Sequence, residues 1–420
     1  RDLDELPRSY DQQIQIISRA QLSLVRMLSS PINVYSPVQV KKLLVILGCK
    51  DIDSSKEKDL LKAMYRHPLN NRILSCLIRI RKARKLVSTY LTEGKEFNGR
   101  ILYSLNPHGT DTARLASEEH HYWCGLQIQN IPRGRAVKRT LIADEGFRIA
   151  ECDLEQAESR DTANVSGDER LIEAVSGERD FHSVNAAAFF GVPYENIYSL
   201  GKTIDKPLRD LAKKVNHGAN YLMGAGVLVD TMGLEKVFEA KRLLKLQKLW
   251  LPKQVAEYLL SQFHITYPKL SKVFYPGVAA EVVKTSMLQS TAVHDSKYQA
   301  TTKGWARFCF GSPDKNKRDL NGYVAHVPQN LNAMTLNKAF MQVFYDLAFK
   351  PEFKLLCQIH DSILFQFKEG HEYLLEEVKK RMEIPVTITG YDGVTRTFTV
   401  PAAVKAGKDG HGSRRWSETE

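Results

Sequence analysis

The sequence predicts an α+β fold in which two or three subdomains share a cleft. Its 420 residues exceed what one ordinary hydrophobic core supports. The hydrophobic pattern runs in the order helices, strands, helices, strands. Acidic side chains end two apolar, strand-like runs that lie far apart in the chain. These three observations favour helical units arranged around a sheet that is assembled from distant segments.

Composition narrows the class of protein. Sixty Lys and Arg residues against 48 Asp and Glu residues leave a formal charge of +12 and a pI of about 9.2, which favours a polyanionic partner without identifying it. The six cysteines lie far apart without a CxxC pair, so a zinc site or a disulfide framework is not indicated, and a reducing compartment fits best. We expect no signal peptide, and the sequence contains no apolar run of about eighteen residues. We expect a soluble protein that does not contact a membrane.

The N-terminal region has helical periodicity over residues 12–28 and 36–47, separated by the breaker-rich stretch SSPINVYSP. A third predicted helix, within residues 67–91, has one apolar stripe and one basic face. That face is either simply solvated or a contact to a nucleic-acid backbone. Its basic residues are Arg79, Arg81, Lys82, Arg84 and Lys85.

The rest of the chain alternates between strands and helices. FRIAECDL (147–154) reads as a strand with Asp153 at its end, and a helix follows it. Helices dominate from residue 168 to about 297, before a stretch punctuated by Gly and Pro. A further helix is predicted from residue 329 to about 349, and the polar residues 407–420 are expected to fray.

The stretch KLLCQIHDSILFQF (354–367) places three polar residues inside an apolar run. Because a carboxylate in a buried strand loses its solvation, the trio predicts a turn between antiparallel strands. We expect strands over 355–359 and 363–366, with His360, Asp361 and Ser362 at the hairpin tip. An Asp in such a turn either caps its own backbone or serves a functional site.

Asp153 and Asp361 project from one edge only if their two strands are neighbours in the same sheet. Hard divalent cations prefer oxygen ligands. Two Mg²⁺ ions held between two carboxylates can activate an attacking hydroxyl and stabilise a leaving pyrophosphate. The pair is therefore compatible with phosphoryl transfer, although two aspartates alone do not establish it.

A second pattern lies in RDLAKKVNHGANY (209–221), where Arg209, Lys213, His217 and Tyr221 recur every four residues. This spacing places two cations and two rings on one face of a helix. The cations suit a triphosphate and the rings suit a base. A solvated helix face is the alternative when the pattern is taken alone.

These segments resemble the motifs of the family A DNA polymerases, the bacterial DNA polymerase I family and its phage relatives. DLEQAESR (153–160), RDLAKKVNHGANY (209–221) and QIHDS (358–362) resemble motifs A, B and C. TARLAS (112–117) with LQIQNIP (126–132) resembles the segment before motif A that holds the primer–template. The similarity runs from about residue 36 to about residue 405, and four spaced motifs are more specific than any single one.

The resemblance implies a right-hand polymerase fold. We expect a helical thumb with N-terminal helices over residues 1–100 and the first part of the palm, with its antiparallel sheet, over 101–160. We expect the fingers over residues 161–330 and the second part of the palm over residues 331–420. The resemblance further implies template-dependent addition of dNTPs to a primer 3′-OH by a two-metal-ion mechanism. We expect no proofreading domain in this chain.

The resemblance also implies roles for individual residues. Two Mg²⁺ ions, which Mn²⁺ can replace, are expected on Asp153, Asp361 and the backbone carbonyl of Leu154. The residues expected to contact the nucleotide are Arg209, Lys213 and His182 at the phosphates, Glu158 and Gln156 beside the sugar, and His217 and Tyr221 near the base. The residues expected to contact primer–template DNA are Arg114, Gln129, Asn130 and His360, with Gln329 and Asn330 in the loosely matching HVPQN segment.

Three departures from the family pattern leave alternatives open. Motif C usually ends HDE, whereas Ser362 makes it HDS, as in the related single-subunit RNA polymerases. His217 replaces the usual aromatic residue, and HVPQN matches only loosely. An RNA-polymerase-like enzyme and a catalytically inactive nucleic-acid-binding relative are therefore the alternatives, and Glu158 favours DNA synthesis over the first of them.

The expected partners are primer–template DNA, dNTPs, and a processivity or exonuclease partner protein. We expect a cytoplasmic location in a bacterium or a virus-infected cell, with an organelle as the alternative.

Overall fold

The computed structural model describes residues 1–118, 124–132, 134–177, 179–245, 251–296 and 304–419. Its helices are α1 Glu5–Leu28, α2 Pro37–Ile46, α3 Glu57–Arg66, α4 Asn71–Tyr90, α5 Arg135–Lys138, α6 Ala157–Ser166, α7 Glu169–Ser176, α8 Phe181–Phe190, α9 Lys206–Asn220, α10 Ala225–Met232, α11 Leu234–Leu243, α12 Pro252–Thr266, α13 Tyr275–Thr285, α14 Lys317–Leu347 and α15 Tyr373–Met382. Within the described ranges, no helix is both long enough and apolar enough to cross a membrane.

Most strands are short, with two to five residues, and three strands have seven or eight residues. They are β1 Glu96–Phe97, β2 Arg100–Ile101, β3 Ser104–Asn106, β4 Ala116–Glu118, β5 Phe147–Leu154, β6 Tyr198–Ser199, β7 Lys202–Thr203, β8 Met287–Gln289, β9 Val293–His294, β10 Ala306–Phe308, β11 Phe353–Ile359, β12 Ser362–Lys368, β13 Pro385–Thr389, β14 Thr395–Thr399 and β15 Ala402–Lys405.

Helices α1 to α4 share one hydrophobic core, to which Leu24, Leu44 and Leu74 contribute. The helix predicted within 67–91 is α4, and most of its basic side chains are exposed. Arg81 is the exception, because its guanidinium is partly buried and its Nε donates a hydrogen bond to the Val34 carbonyl at 2.7 Å. Arg81 therefore stabilises the helical packing, and its assignment to the basic face was wrong.

A four-stranded antiparallel sheet in the order β11-β12-β5-β15 forms the centre of the molecule. Side chains alternate between its two faces, as the period of a strand requires. Ala150 and Cys152 face a core that α14 and α15 complete. Ile149 and Leu364 face the opposite core, which contains Trp416. The sheet is buried on both sides, so the strand register fixes where its polar ends emerge.

The hairpin between β11 and β12 is tighter than predicted. Ser362 pairs with Ile359 across the strands and is 2 % exposed, so it belongs to β12 and not to the tip. The tip consists of His360 and Asp361, and His360 has a φ of 51°. A two-residue hairpin turn needs such left-handed backbone.

Helices α6 to α13 form a second large core, as the predominance of helical patterns in this region predicted. The long helix α14 connects the two cores, because Val324 and Leu331 pack into this helical core while Leu336 and Val343 pack beneath the sheet. It begins at Lys317, twelve residues before the predicted start at 329. Pro328, the residue directly before the predicted start, lies inside the helix.

The C-terminal residues are packed, and the prediction that they fray was wrong for the described positions. Ser413 forms a β-bridge with Ile149, and Arg415 pairs with Asp2 at 2.6 Å. Trp416 is 2 % exposed. A backbone bridge, an ion pair and a buried aromatic side chain together hold the tail against the sheet.

Candidate active site

The ends of β5 and β12 bring the two predicted aspartates together. The strands are antiparallel neighbours with Ser362 opposite Asp153, and the Leu154 amide donates a hydrogen bond to the Asp361 carbonyl at 3.0 Å. Asp153 and Asp361 thus lie at one edge of the sheet although 208 positions separate them in the sequence. The condition that their strands be neighbours in one sheet is therefore met.

Each of the two carboxylates has polar partners within the chain. Asp153 Oδ2 lies 2.9 Å from Lys405 Nζ. Asp361 Oδ1 accepts a hydrogen bond from Asn332 Nδ2 at 2.8 Å and lies 3.8 Å from Arg114 Nη2. Burial, and then the negative charge of Glu158, raise the pKa of Asp361 above its ordinary value. The edge therefore carries more negative charge than its own cations neutralise.

This donor set fits divalent cations. The pair supplies carboxylate oxygens, which Mg²⁺ and Mn²⁺ accept as ligands. The raised pKa of Asp361 shows that its ionised form is unfavourable in this protein, and a bound cation would remove that cost. Among the described residues, no group of three or more His, Cys, Asp and Glu side chains forms a metal-binding cluster. The edge thus offers a pair of carboxylates, which leaves ligand positions for a substrate and water.

Glu158 on α6 connects this edge to helix α9. It accepts hydrogen bonds from Arg114 and from the hydroxyl of Tyr221, and its Oε2 lies 3.9 Å from His217 Nδ1. Burial and the neighbouring Glu158 raise the pKa of Tyr221, so its hydroxyl stays protonated and donates. The neighbouring Gln329 side chain on α14 acts in the opposite direction and lowers this pKa in part. Motif A, motif B and the Arg114 segment therefore meet at one carboxylate.

The phosphate-facing residues predicted on α9 are arranged around the start of α8. Asp205 caps α9 by accepting a hydrogen bond from the Leu208 amide at 3.0 Å. Arg209 donates two hydrogen bonds to Asp180, with Nε–Oδ2 of 2.9 Å and Nη2–Oδ1 of 2.7 Å. Asp180 also caps α8 through the Ser183 amide. This bidentate pair fixes the two helices relative to each other.

His182 lies beside that pair and is 8 % exposed. Burial, and then the Arg209 charge, lower its pKa to about 3, so the ring is neutral at pH 7. Its Nδ1 lies 3.1 Å from Asn216 Nδ2, which is a donor, so the proton is assigned to Nε2. Lys213 and His217 are exposed on the same helix, and the His217 ring meets Tyr221 edge-on at 5.3 Å. The α9 face thus presents one ammonium and two rings to solvent or a ligand.

The residues predicted to contact DNA are placed in several different ways. Arg114 and His360 lie at the carboxylate edge, His360 exposed at the hairpin tip. Asn130 is exposed at the end of the 3₁₀ segment Ile128–Asn130, and the Gln129 amide donates to Ser117 Oγ. Asn330 is 2 % exposed and its Nδ2 donates to the Thr112 carbonyl at 3.3 Å, so it positions the Arg114 loop. Gln156 is partly buried in left-handed backbone just before α6.

Sequence reasoning missed four residues that hold the predicted ones in place: Asp180, Asn332, Lys405 and Glu151. The Asp180 position carries a signal, because an Asp directly before an apolar helical run is typical of a helix start. Lys405 lies 252 positions from Asp153, and no local pattern indicates their contact.

Comparison with known proteins identifies the family. The sequence model of the protein family described as DNA polymerase family A matches residues 2–409 of this chain. The chain belongs to DNA polymerase family A. DNA polymerase I of Thermus aquaticus is 26 % identical over 391 residues, covering 87 % of this chain and 41 % of that protein. DNA polymerase I of Helicobacter pylori strain J99 is 24 % identical over 389 residues, covering 90 % and 38 %. The chain therefore spans about two-fifths of the length of these relatives.

A solved family A structure supports the fold. The POL domain of Pol1 from M. smegmatis, in complex with DNA primer–template and dNTP, superimposes with a TM-score of 0.73 at 21 % identity. The superposition covers 99 % of this chain and 67 % of that one. The predicted α+β class and the right-hand polymerase fold with thumb, palm and fingers are confirmed.

Proposed function

We propose that this family A chain is a DNA-directed DNA polymerase that adds dNTPs to a primer 3′-OH. The observation that carries the proposal is the strand register that sets Asp153 beside Asp361, joined through Glu158 to the cationic helix α9. A nucleotide bound between them would have its triphosphate toward Lys213 and Arg209 and its reacting phosphorus toward the carboxylates.

Asp153, Asp361 and the carbonyl of Leu154 are the groups that would hold two Mg²⁺ ions, with Mn²⁺ as a replacement. Bound there, the ions supply charge neutralisation for the attacking and leaving oxygens of an in-line displacement. The chain contributes the placement of its two carboxylates by a buried register. Asn332 and Arg114 hold the Asp361 carboxylate in orientation.

On the other side of the nucleotide, Lys213 provides a point charge for the triphosphate, and Arg209 supports it from its pair with Asp180. Neutral His182 donates from Nε2 to a phosphate oxygen. Glu158 fills the space beside the sugar, where a 2′-OH would meet a carboxylate already engaged by Tyr221 and Arg114. Gln156 lies beside it, and His217 and Tyr221 border the base.

Arg114, Gln129, Asn130, His360 and Gln329 are the proposed contacts to primer–template DNA. Such contacts check the geometry of the pair with little base-specific readout in the minor groove. Asn330 acts from the interior, through its bond to the loop of Arg114.

We further propose the subdomain division expected from the resemblance: thumb over 1–100, palm over 101–160 and 331–420, and fingers over 161–330. The cores support the division in part, because residues of α1 to α4 form one cluster and the α14 side chains divide between two others near Leu331. Two sets of residues cross it: Leu6 and Tyr90 pack into the core beside Trp416, and Val386 and Ile388 pack into the core of the proposed fingers. A cytoplasmic location, and a processivity or exonuclease partner protein, remain proposals that follow from family membership alone.

The test is primer extension on a primed DNA template with Mg²⁺ and either dNTPs or rNTPs. Template-directed extension with dNTPs and at least roughly hundredfold weaker use of rNTPs is expected, because a carboxylate in the space of the 2′-OH penalises a ribose by a few kcal/mol. Equal use of both would support the RNA-polymerase-like alternative, and no extension by a folded protein would support an inactive relative. A mismatched primer incubated without nucleotides should keep its length, since we propose that this chain does not proofread.

A further inference from the structure

A buried carboxylate lies directly behind Asp153 in the sheet. Glu151 is two residues earlier on β5, so its side chain emerges on the same face as that of Asp153. It is 8 % exposed. Its Oε2 accepts a hydrogen bond from Trp416 Nε1 at 2.9 Å, and its Oε1 accepts one from Ser362 Oγ at 3.0 Å. Two donors therefore hold Glu151 in one orientation.

Lys405 bridges this carboxylate and Asp153. Strand β15 pairs with β5 so that Lys405 stands opposite Glu151. The ammonium lies 2.9 Å from Asp153 Oδ2 and 3.9 Å from Glu151 Oε1. Glu151 and Asp153 are two residues apart and so lie on the same face of β5. One lysine on β15 therefore reaches both carboxylates, and β15 flanks β5 on the side opposite to β12 and Asp361.

The two aspartates consequently differ in how their charge is compensated. The Asp153 carboxylate is in direct contact with an ammonium, whereas the Asp361 carboxylate lies 3.8 Å from the Arg114 guanidinium. Any cation that binds Asp153 enters the field of the Lys405 ammonium. Like charges at this distance repel, and the repulsion is larger in a partly buried site than in water.

We propose that Lys405 is a positioning residue that holds the Asp153 carboxylate in place without metal and lowers its affinity for a divalent cation. Glu151 is the anchor of that ammonium, and Ser362 and Trp416 in turn orient Glu151. The inference rests on the proposed function in one respect, the role of Asp153 as a metal ligand. In this arrangement Ser362 orients Glu151 from inside the sheet, behind the carboxylate edge.

The arrangement makes opposite predictions for the two members of the pair. Lys405→Met keeps the length of the side chain and removes its charge, so a divalent cation should bind more tightly. Glu151→Gln removes a negative charge and leaves the ammonium to Asp153 alone, so the cation should bind more weakly. A lysine with a merely structural role would not tighten metal binding when it is removed.

The experiment measures Mn²⁺ binding to the whole chain, without DNA or nucleotide, from the electron paramagnetic resonance signal of free Mn²⁺. Lys405→Met should lower the dissociation constant at least about fivefold, the effect between two unit charges about 4 Å apart in water and so a lower bound for a divalent ion. Glu151→Gln should raise it, and Lys405→Arg should stay near wild type. In primer extension, Lys405→Met should need less Mg²⁺ for half-maximal rate while its kcat falls, because the carboxylate is no longer positioned.

Two controls separate the possible failures. Asp153→Asn in the same assay shows whether Asp153 binds Mn²⁺ at all; if it leaves the binding unchanged, the proposed function of Asp153 fails. If Asp153→Asn weakens binding but Lys405→Met, or Lys405→Gln where the first variant does not fold, binds Mn²⁺ as wild type or more weakly, the assignment of Lys405 alone is overturned.

Discussion

The carboxylate edge of the palm and the cationic face of α9 in the fingers are built in opposite ways. Asp153 and Asp361 end strands of a sheet that is buried on both faces, and each has polar partners within the chain. On α9, Lys213 and His217 are exposed, and Arg209 is fixed by Asp180. The palm positions its charges before any ligand arrives, whereas the fingers fix Arg209 but leave the Lys213 ammonium available to a ligand.

This difference has an energetic reason. The sheet edge gathers several carboxylates, and burial raises the pKa of Asp361, so its charge is held at a cost that a cation can relieve. An exposed lysine is solvated and costs little until it meets a phosphate. We therefore expect the palm residues to control the chemical step and the fingers residues to control nucleotide binding and positioning.

The largest expected effect comes from the palm edge. Asp153→Ala or Asp361→Ala should each lower kcat by several orders of magnitude, because a metal ligand stabilises charge that develops mainly in the transition state. Affinity for primer–template, measured by fluorescence anisotropy without nucleotide, should stay near wild type. Asp→Asn at each position is the matched control for shape. Near-wild-type turnover by either folded alanine variant would remove the palm edge from the chemistry.

The next effect concerns the fingers. Lys213→Ala should lower kcat/KM for dNTPs by about 2–4 kcal/mol, the loss expected for a charge-assisted phosphate contact. Lys214→Ala is the control, because this neighbour turns away and donates to the carbonyls of Thr231 and Met232. Arg209→Ala should lower stability as well, since it leaves Asp180 without its partner. If Lys213→Ala weakens DNA binding without nucleotide by as much, the residue belongs to the template channel instead.

Glu158 connects the two regions, and its effect should be somewhat smaller. Glu158→Ala should raise use of rNTPs relative to dNTPs by roughly ten- to a hundredfold, because the space beside the sugar opens. Glu158→Gln keeps the bulk and should retain most of the selection, and Tyr221→Phe removes only one hydrogen bond. Competition of dNTP and rNTP in single-nucleotide extension gives the ratio directly. An unchanged ratio in Glu158→Ala would end the assignment of this residue to sugar selection.

Ser362 provides a further check on the same point. Its HDS context had suggested kinship with RNA polymerases, but the side chain lies inside the sheet and donates to Glu151. Ser362→Ala should therefore leave the sugar preference unchanged. The HDS triplet resembles that of the single-subunit RNA polymerases, but the Ser362 side chain is buried in the sheet and does not line the proposed nucleotide site.

The sequence predicted the parts of this site that follow from local pattern. Carboxylates at the ends of apolar strands must emerge from the core, so Asp153 and Asp361 could be located and their adjacency anticipated. The four-residue repeat from Arg209 to Tyr221 defines a helix face directly. The contacts that hold these residues could not be predicted, because Lys405 and Trp416 reach the edge through a distant strand and tail.

The errors of prediction have physical causes of the same kind. The polar tail was expected to fray because composition does not show that one Trp fits a buried site and donates to Glu151. The start of α14 was placed too late because the preceding stretch is punctuated by Gly and Pro, whereas packing of its side chains holds the helix from Lys317 through Pro328. Ser362 was placed at the tip because its hydroxyl finds an internal acceptor that no local signal reveals.

The smallest expected effect separates the two regions by pH. Burial and Arg209 lower the pKa of His182 to about 3, whereas an unfolded histidine titrates near 6.5. The unfolded chain therefore gains a proton first, and the stability from neutral His182 is complete above about pH 6.5 and lost as the pH falls toward 3. In the palm, burial acts to raise the pKa of Asp144. Hydrogen bonds from Arg100, Lys354 and Gln366 outweigh that effect and lower the pKa to about 2. Its contribution is lost only below about pH 4.

Between pH 7 and pH 5 the protein should thus weaken at His182 while the palm keeps the contribution of Asp144. Burial also lowers the pKa of His294 and of His326 to about 4, so these two histidines should contribute to the loss as well. Wild type should lose unfolding free energy over this range, and His182→Gln should lose about 1–2 kcal/mol less, as measured by urea titration at each pH. Asp144→Asn is the control, and it should leave that loss unchanged. Hydrogen exchange, corrected for its intrinsic pH dependence, should show α8 losing protection before β12. Equal loss in both elements, or a full loss in His182→Gln, would mean that His182 is not what makes the fingers sensitive to mild acid.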